Sequence, residues 1–272
     1  MHEAGITPLL FKGWAIAQYY AESYLRPCGD FDILVQAADF HKAKALLSRH
    51  AVLIMAPGDG PFVLHNRALQ TDYTVDLHGD LSPLYNTDVN DVFRRAQPAP
   101  WPAQAMLVPC AEDHLRIVII HLLMHGAWRP IWCCDVAALV EKITDSFDWE
   151  TCLTRDRVTA GWISATIVTT HRLLDCRIDH LPEAVRGCAA PAWIEQTIRK
   201  LWNAPYPARF IMHRSELRRA PVGYLRKVWG NPIWAAFTQG AAVTKTPRIR
   251  YQLSRFVRHA GRALRPWVWA QN

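Results

Sequence analysis

The stretch LRPCGDFDILV, Leu25 to Val35, sets two aspartates inside an otherwise apolar run. Phe31, Ile33, Leu34 and Val35 are residues that favour a strand. On a strand, side chains two apart share a face, with their Cα atoms about 6.5–7 Å apart. Asp30 and Asp32 therefore aim at one point, and Phe31 points the other way, toward a core. Carboxylates placed among apolar groups are costly unless something pairs with them. Two at this spacing also repel and raise each other's pKa. A divalent cation removes both penalties, and oxygen-only ligation suits Mg²⁺, which completes its shell with water and phosphates; Mn²⁺ is the other candidate. On this reading, Asp30→Asn or Asp32→Asn relieves repulsion and leaves the metal-free melting temperature unchanged or higher.

Working outward, YTVDLHGDL supplies a third acid, Asp76, again flanked by apolar residues and on a strand able to lie beside the first. Three acids on adjacent strands suit a pair of metal ions roughly 3.5–4 Å apart, the arrangement that clamps attacking and leaving oxygens in phosphoryl transfer. Asp76 would also help deprotonate an acceptor hydroxyl. His78 shares a face with Asp76 and is expected to support it. Upstream, KGWA places Gly13 at the turn into a helix. Glycine lets a backbone approach a phosphate closely, and a helix start offers unpaired N–H groups. Lys12 and Arg26 flank this turn and are candidate nucleotide contacts. The competing reading is structural: Asp30 caps a strand, Asp32 pairs with Arg26, and Asp76 pairs with a lysine or arginine.

These residues, KGWAIAQYY, LRPCGDFDILV and VDLHGD in order, resemble the DNA-polymerase-β-like nucleotidyltransferase superfamily. Within it the chain is most similar to an uncharacterised bacterial nucleotidyltransferase family. The abortive-infection nucleotidyltransferases are similar at lower resolution. The resemblance covers residues 9–80 and extends weakly over Ile117 to Val140. It implies that Gly13 is the motif glycine, that Asp30 and Asp32 are the metal-binding pair, that Asp76 is the third acid, and that Arg26 touches nucleotide phosphates. Trp14 departs from the pattern, standing where glycine or serine is common, so a hydroxyl contact to phosphate is lost. The implied activity is metal-dependent transfer of an NMP from an NTP to an acceptor hydroxyl, with release of pyrophosphate. The alternative is a non-catalytic RNA- or partner-binding protein that keeps the fold.

The rest of the chain frames this site. Residues 1–82 read helix, strand, helix, strand, strand, which is a small α+β unit. AADFHKAKALLSRH reads as an amphipathic helix with Phe40, Ala43, Leu46 and Leu47 on one face. APGDGPF near 56–62 reads as a loop and PAPWPAQ at 98–104 as a connector. From Glu112 the spacing turns helical, with a long helix expected over 151–176. The expected organisation is a nucleotidyltransferase core over 1–104 and a helical domain over 105–272.

Seven cysteines at irregular spacing suit neither zinc nor a disulfide framework and read as reduced thiols. No run of apolar residues is long enough for a membrane span, and MHEAGITPLLFKG lacks the features of an export signal, so a cytoplasmic protein is expected. Charge is uneven. From Arg199 onward there are 15 Lys+Arg and one acid, Glu216, a net +14; the remainder carries 16 basic and 23 acidic residues, a net −7. Such asymmetry suggests a basic surface for something anionic, with RNA and an anionic membrane surface as the two candidate partners, beside the plainer reading in which the aromatics are core and the cations are solvated or paired with the acidic first part.

Overall fold

The computed structural model describes residues 1–53, 62–66, 71–81, 85–100, 106–204, 229–244 and 249–264. The expected loop near 56–62 and most of the 98–104 connector lie outside these residues. The chain divides into two units, one built from 1–118 and 135–155, the other from 119–134 and 156–272.

The first unit is organised on a mixed sheet. Its strands are β1 (Leu9–Phe11), β2 (Asp30–Leu34), β3 (Ala51–Leu53), β4 (Phe62–Asn66), β5 (Thr71–His78), β6 (Gln97–Pro98) and β7 (Leu107–Val108), in the order β3-β4-β5-β2-β1-β7-β6. The expected DFDILV strand sits near the centre, antiparallel to β1 and parallel to β5. The two strands expected at the end of residues 1–82, β4 and β5, pair antiparallel. Side chains alternate as the pleat requires. On one face, Leu10, Ile33 and Val75 join Ala43 and Leu47 in the core, with Phe31 packed against it. Ala43 and Leu47 come from helix α2 (Phe40–His50), and Ala15 from α1 (Gly13–Ile16). Leu9, Phe11, Asp32, Asp76 and His78 belong to the opposite face by the same alternation.

Two local expectations change. The apolar start of the 9–21 segment forms strand β1, and the helix beginning at Gly13 is one turn long, passing into 3₁₀ turns at Ala17–Tyr19 and Ser23–Leu25. Leu9, Leu10 and Phe11 are all buried and pair with β2, so the apolar run ahead of the glycine turn joins the sheet. Further along, the helix expected over 151–176 is two helices, α6 (Trp149–Leu153) and α7 (Arg157–Leu174), following α3 (Val89–Arg95), α4 (Ala111–Met124) and α5 (Pro130–Val140). Thr154 adopts φ 62°, and Asp156 restarts the helix by accepting from the backbone N–H groups of Val158 and Thr159.

The second unit is helical. It takes the end of α4, the start of α5, and α7, α8 (Glu183–Arg186), α9 (Ala192–Trp202), α10 (Pro232–Phe237) and α11 (Ile249–Leu264). Trp162, fully buried, stands edge-on to Trp193 and Phe237 at 6.1 and 5.8 Å, and its indole N–H donates to the Ala241 carbonyl. All seven cysteines are free thiols, four of them buried. Among the described residues, no helix is long and apolar enough to cross a membrane.

Candidate active site

Parallel pairing of β2 with β5 puts Asp32 directly beside Asp76, Asp30 beside Thr74, and Leu34 beside His78. Two acids more than forty residues apart in sequence thus meet on one sheet face. The backbone turn after Phe11 delivers a third participant. Lys12 adopts φ 58°, and its ammonium reaches Asp32 Oδ1 at 2.9 Å while lying 4.6 Å above the Phe11 ring. His78 Nε2 lies 3.2 Å from Asp32 Oδ1 and 3.4 Å from Asp76 Oδ2. Its ring stands edge-on to Phe11 at 5.1 Å, which fixes the imidazole plane against the sheet.

Burial grades across this face. The Asp32 side chain is 10% exposed and that of Asp76 is 47% exposed. One acid is held by protein and the other opens to solvent, as a group that meets a substrate must. Burial opposes ionisation of Asp32, yet the hydrogen bond from His78 and the Lys12 charge outweigh it and bring the carboxyl down to about 2. Asp30 moves in the other direction: desolvation and the nearby Asp32 charge raise its pKa. Burial opposes protonation of His78, and the bonds to Asp32 and Asp76 overcome it, so its pKa is raised. Lys12 likewise stays charged against burial because Asp32 sits beside it.

The geometry tests the fit of a divalent cation. One carboxylate oxygen each from Asp32 and Asp76 and a ring nitrogen of His78 all lie within 4.8 Å of one another. Two carboxylates with an imidazole accept Mg²⁺ or Mn²⁺, and the nitrogen favours the softer Mn²⁺. Asp30, expected as a ligand, lies two residues along the same strand, outside this trio but within electrostatic reach of it. His78, expected as a support, is in the trio itself.

The remaining expected contacts lie on the flank of the site. Gly13 opens α1, with a backbone conformation any residue accepts; the positive φ belongs to Lys12. A Cβ at Gly13 would stand 3.5 Å from Arg26 Nη1 and 3.5 Å from the Asp30 carbonyl, which is ordinary contact. Arg26 is thus next to the glycine turn. Its fork is already engaged by a residue to which the sequence assigns no chemical role: Nε and Nη2 donate to the Asp135 carboxylate at 3.1 and 2.8 Å, and Tyr20 Oη donates to the same group at 2.7 Å. Tyr85 also escaped the sequence reading. It is buried, and its phenol feels the Lys12 and Asp32 charges. No motif surrounds it, so nothing local could have marked it. A cleft of about 450 Å³ elsewhere in the first unit, lined by Asn86, Arg95, Arg116 and Glu150 among others, contains none of the site's acids.

Compared with known proteins, residues 1–161 match the model of a family described as an uncharacterised nucleotidyltransferase. This span contains every residue of the site. No curated protein and no solved structure matches the chain.

Proposed function

Because the chain belongs to this nucleotidyltransferase family, we propose that it moves an NMP from an NTP to an acceptor hydroxyl and releases pyrophosphate. The observation that carries this reading is the pairing of Asp32 with Asp76 on adjacent parallel strands, with His78 bonded to both. Asp32, Asp76 and His78, with Asp30 beside them, would hold the divalent cation. Such an ion neutralises phosphate charge and polarises the phosphorus under attack. The chain's own residues do the rest. Lys12, now on Asp32, carries the positive charge closest to the acids and is placed to turn toward a triphosphate. Gly13 leaves room for a phosphate oxygen at the β1–α1 turn. Arg26, steadied by Asp135, adds a cationic wall to that turn. Asp76, the more exposed acid, takes the proton of the acceptor hydroxyl. The hydroxyl oxygen then bonds to the α-phosphorus as the bond to the bridging oxygen breaks, and pyrophosphate leaves with that electron pair. Positioning and charge neutralisation supply most of the acceleration. In the proposed division of labour, residues 1–104 carry the nucleotide.

The test is pyrophosphate release from each NTP with Mg²⁺ or Mn²⁺ across a panel of small-molecule, peptide and RNA acceptors. Turnover that falls at least a hundredfold in Asp76→Asn is the expected result. No pyrophosphate with any acceptor, together with no NTP binding in calorimetry, would show a binding module that retains only the fold.

A further inference from the structure

Helix α11, IRYQLSRFVRHAGRAL, has two apolar aspects, and among the described residues only one of them is covered. On the covered side, Gln252 is buried and donates from Nε2 to the Gly230 carbonyl at 2.9 Å, and Phe256 meets the Trp229 ring at 6.1 Å. These contacts hold the helix against its own unit. Next to that side around the helix, Ile249, Leu253 and Val257 are 59%, 48% and 61% exposed. They recur every four residues, so they form one stripe along the helix. Three large aliphatic side chains left bare in a row differ from the scattered apolar residues of an ordinary surface.

Charge says what covers the stripe. The helix contains Arg250, Arg255, Arg258 and Arg262 and no acid, and no acidic residue follows Glu216 anywhere in the chain. An apolar stripe with arginines and without carboxylates matches the boundary between acyl chains and anionic headgroups. A nucleic acid would use the cations and leave the aliphatic stripe in water, since phosphates and base edges need donors and stacking faces. We propose that α11 lies in the surface of an anionic lipid bilayer, with Ile249, Leu253 and Val257 in the acyl boundary and Arg250, next to the stripe, at the headgroups. Docking is peripheral and reversible, because one helix of sixteen residues buries only its outer stripe.

The test uses the full chain in flotation with phosphatidylcholine vesicles, with and without phosphatidylglycerol. Expected is binding to the mixed vesicles that weakens as salt rises, with little on neutral ones. Arg250→Gln lowers partitioning to the mixed vesicles about fivefold. Leu253→Asp with Val257→Asp lowers it by more than about tenfold. Both positions are solvent-exposed, so an unchanged melting temperature certifies that the variants remain folded. Any one of three results would overturn the proposal. The double variant floats as well as the parent. The chain ignores vesicles but binds a single-stranded oligoribonucleotide. Or light scattering finds a dimer that the double variant dissolves, with no vesicle binding.

Discussion

Asp32 holds a depressed carboxyl between the Lys12 ammonium and the His78 imidazole, and Asp30, two residues away, holds a raised one. The expectation that either asparagine is neutral or stabilising therefore splits. Asp30→Asn removes a repelled charge and leaves the metal-free melting temperature unchanged or higher. Asp32→Asn removes the partner of Lys12 and His78 and lowers stability by about 2 kcal/mol at neutral pH, the worth of a carboxyl brought from its ordinary value to about 2. The sign follows from linkage. A depressed carboxyl contributes stability above its unfolded pKa and loses it as pH falls toward about 2. Chemical denaturation of parent and variant should therefore converge as the pH is lowered into that window; a gap that persists at acid pH would place the stabilisation elsewhere. His78 works in reverse. Its raised pKa adds stability below the ordinary histidine range, and that part fades as pH rises through the folded value. Gly13 gives a second residue-scale prediction. Since a Cβ there meets only ordinary contacts, Gly13→Ala leaves stability unchanged or raises it by up to about 1 kcal/mol. If the turn takes a phosphate, the same variant loses NTP affinity in calorimetry; full retention would remove Gly13 from the nucleotide site. The acids were legible because alternation in a strand needs only five residues. The engagement of Lys12 with Asp32 and of Asp135 with Arg26 was not, because each depends on a backbone turn or a distant helix.

At the scale of elements, the end of β5 shows how packing and chemistry constrain each other. Gly79 follows His78 immediately, and a Cβ there would come within 2.6–2.9 Å of the Cδ2, Cγ and Cβ atoms of Phe40, at the start of α2. The near atoms include the root of the ring, so the ring cannot swing aside. Gly79→Ala should cost about 1–3 kcal/mol in urea denaturation, as overpacked sites do. It should also lower activity, because His78 is carried on the displaced strand end; a fully stable variant would mean α2 can shift at no cost. Strands β2, β4 and β5 and helix α2 were visible in the sequence through their periodicity. Strand β1 was hidden because LLF is only three residues long, too short for alternation to show, and its pairing with β2 makes it a strand. The break between α6 and α7 was hidden for a related reason. Thr154 and Asp156 are compatible with a helix interior by composition, and the positive φ of Thr154 is a tertiary outcome.

For the whole molecule, the family match over residues 1–161 takes in all of the first unit. The candidate site lies in this unit, whereas the positive charge accumulates from Arg199 onward. The charge asymmetry was plain in the composition; the bare stripe on α11 needed coordinates, because burial cannot be read from a helix that is amphipathic in sequence. A ligand that binds only the folded chain stabilises it by mass action, about 2.7 kcal/mol at a hundred times its dissociation constant. Mn²⁺ with an NTP should therefore raise the melting temperature of the full chain, and Asp32→Asn should abolish the increment. An equal rise in the variant would locate the ion away from the sheet.

The side-by-side placement of Asp32 and Asp76 carries one more implication, for tolerance of insertions and deletions. Between β2 and β5 the chain travels through a helix and two further strands, and lengthening those connections leaves the two carboxylates where they are. A single residue added between Thr71 and Val75 does something different. Strand side chains repeat with period two, so it would turn Asp76 to the apolar side and bring Val75 to the acid face. Natural variation in length should therefore collect in the connections and stop short of these five positions.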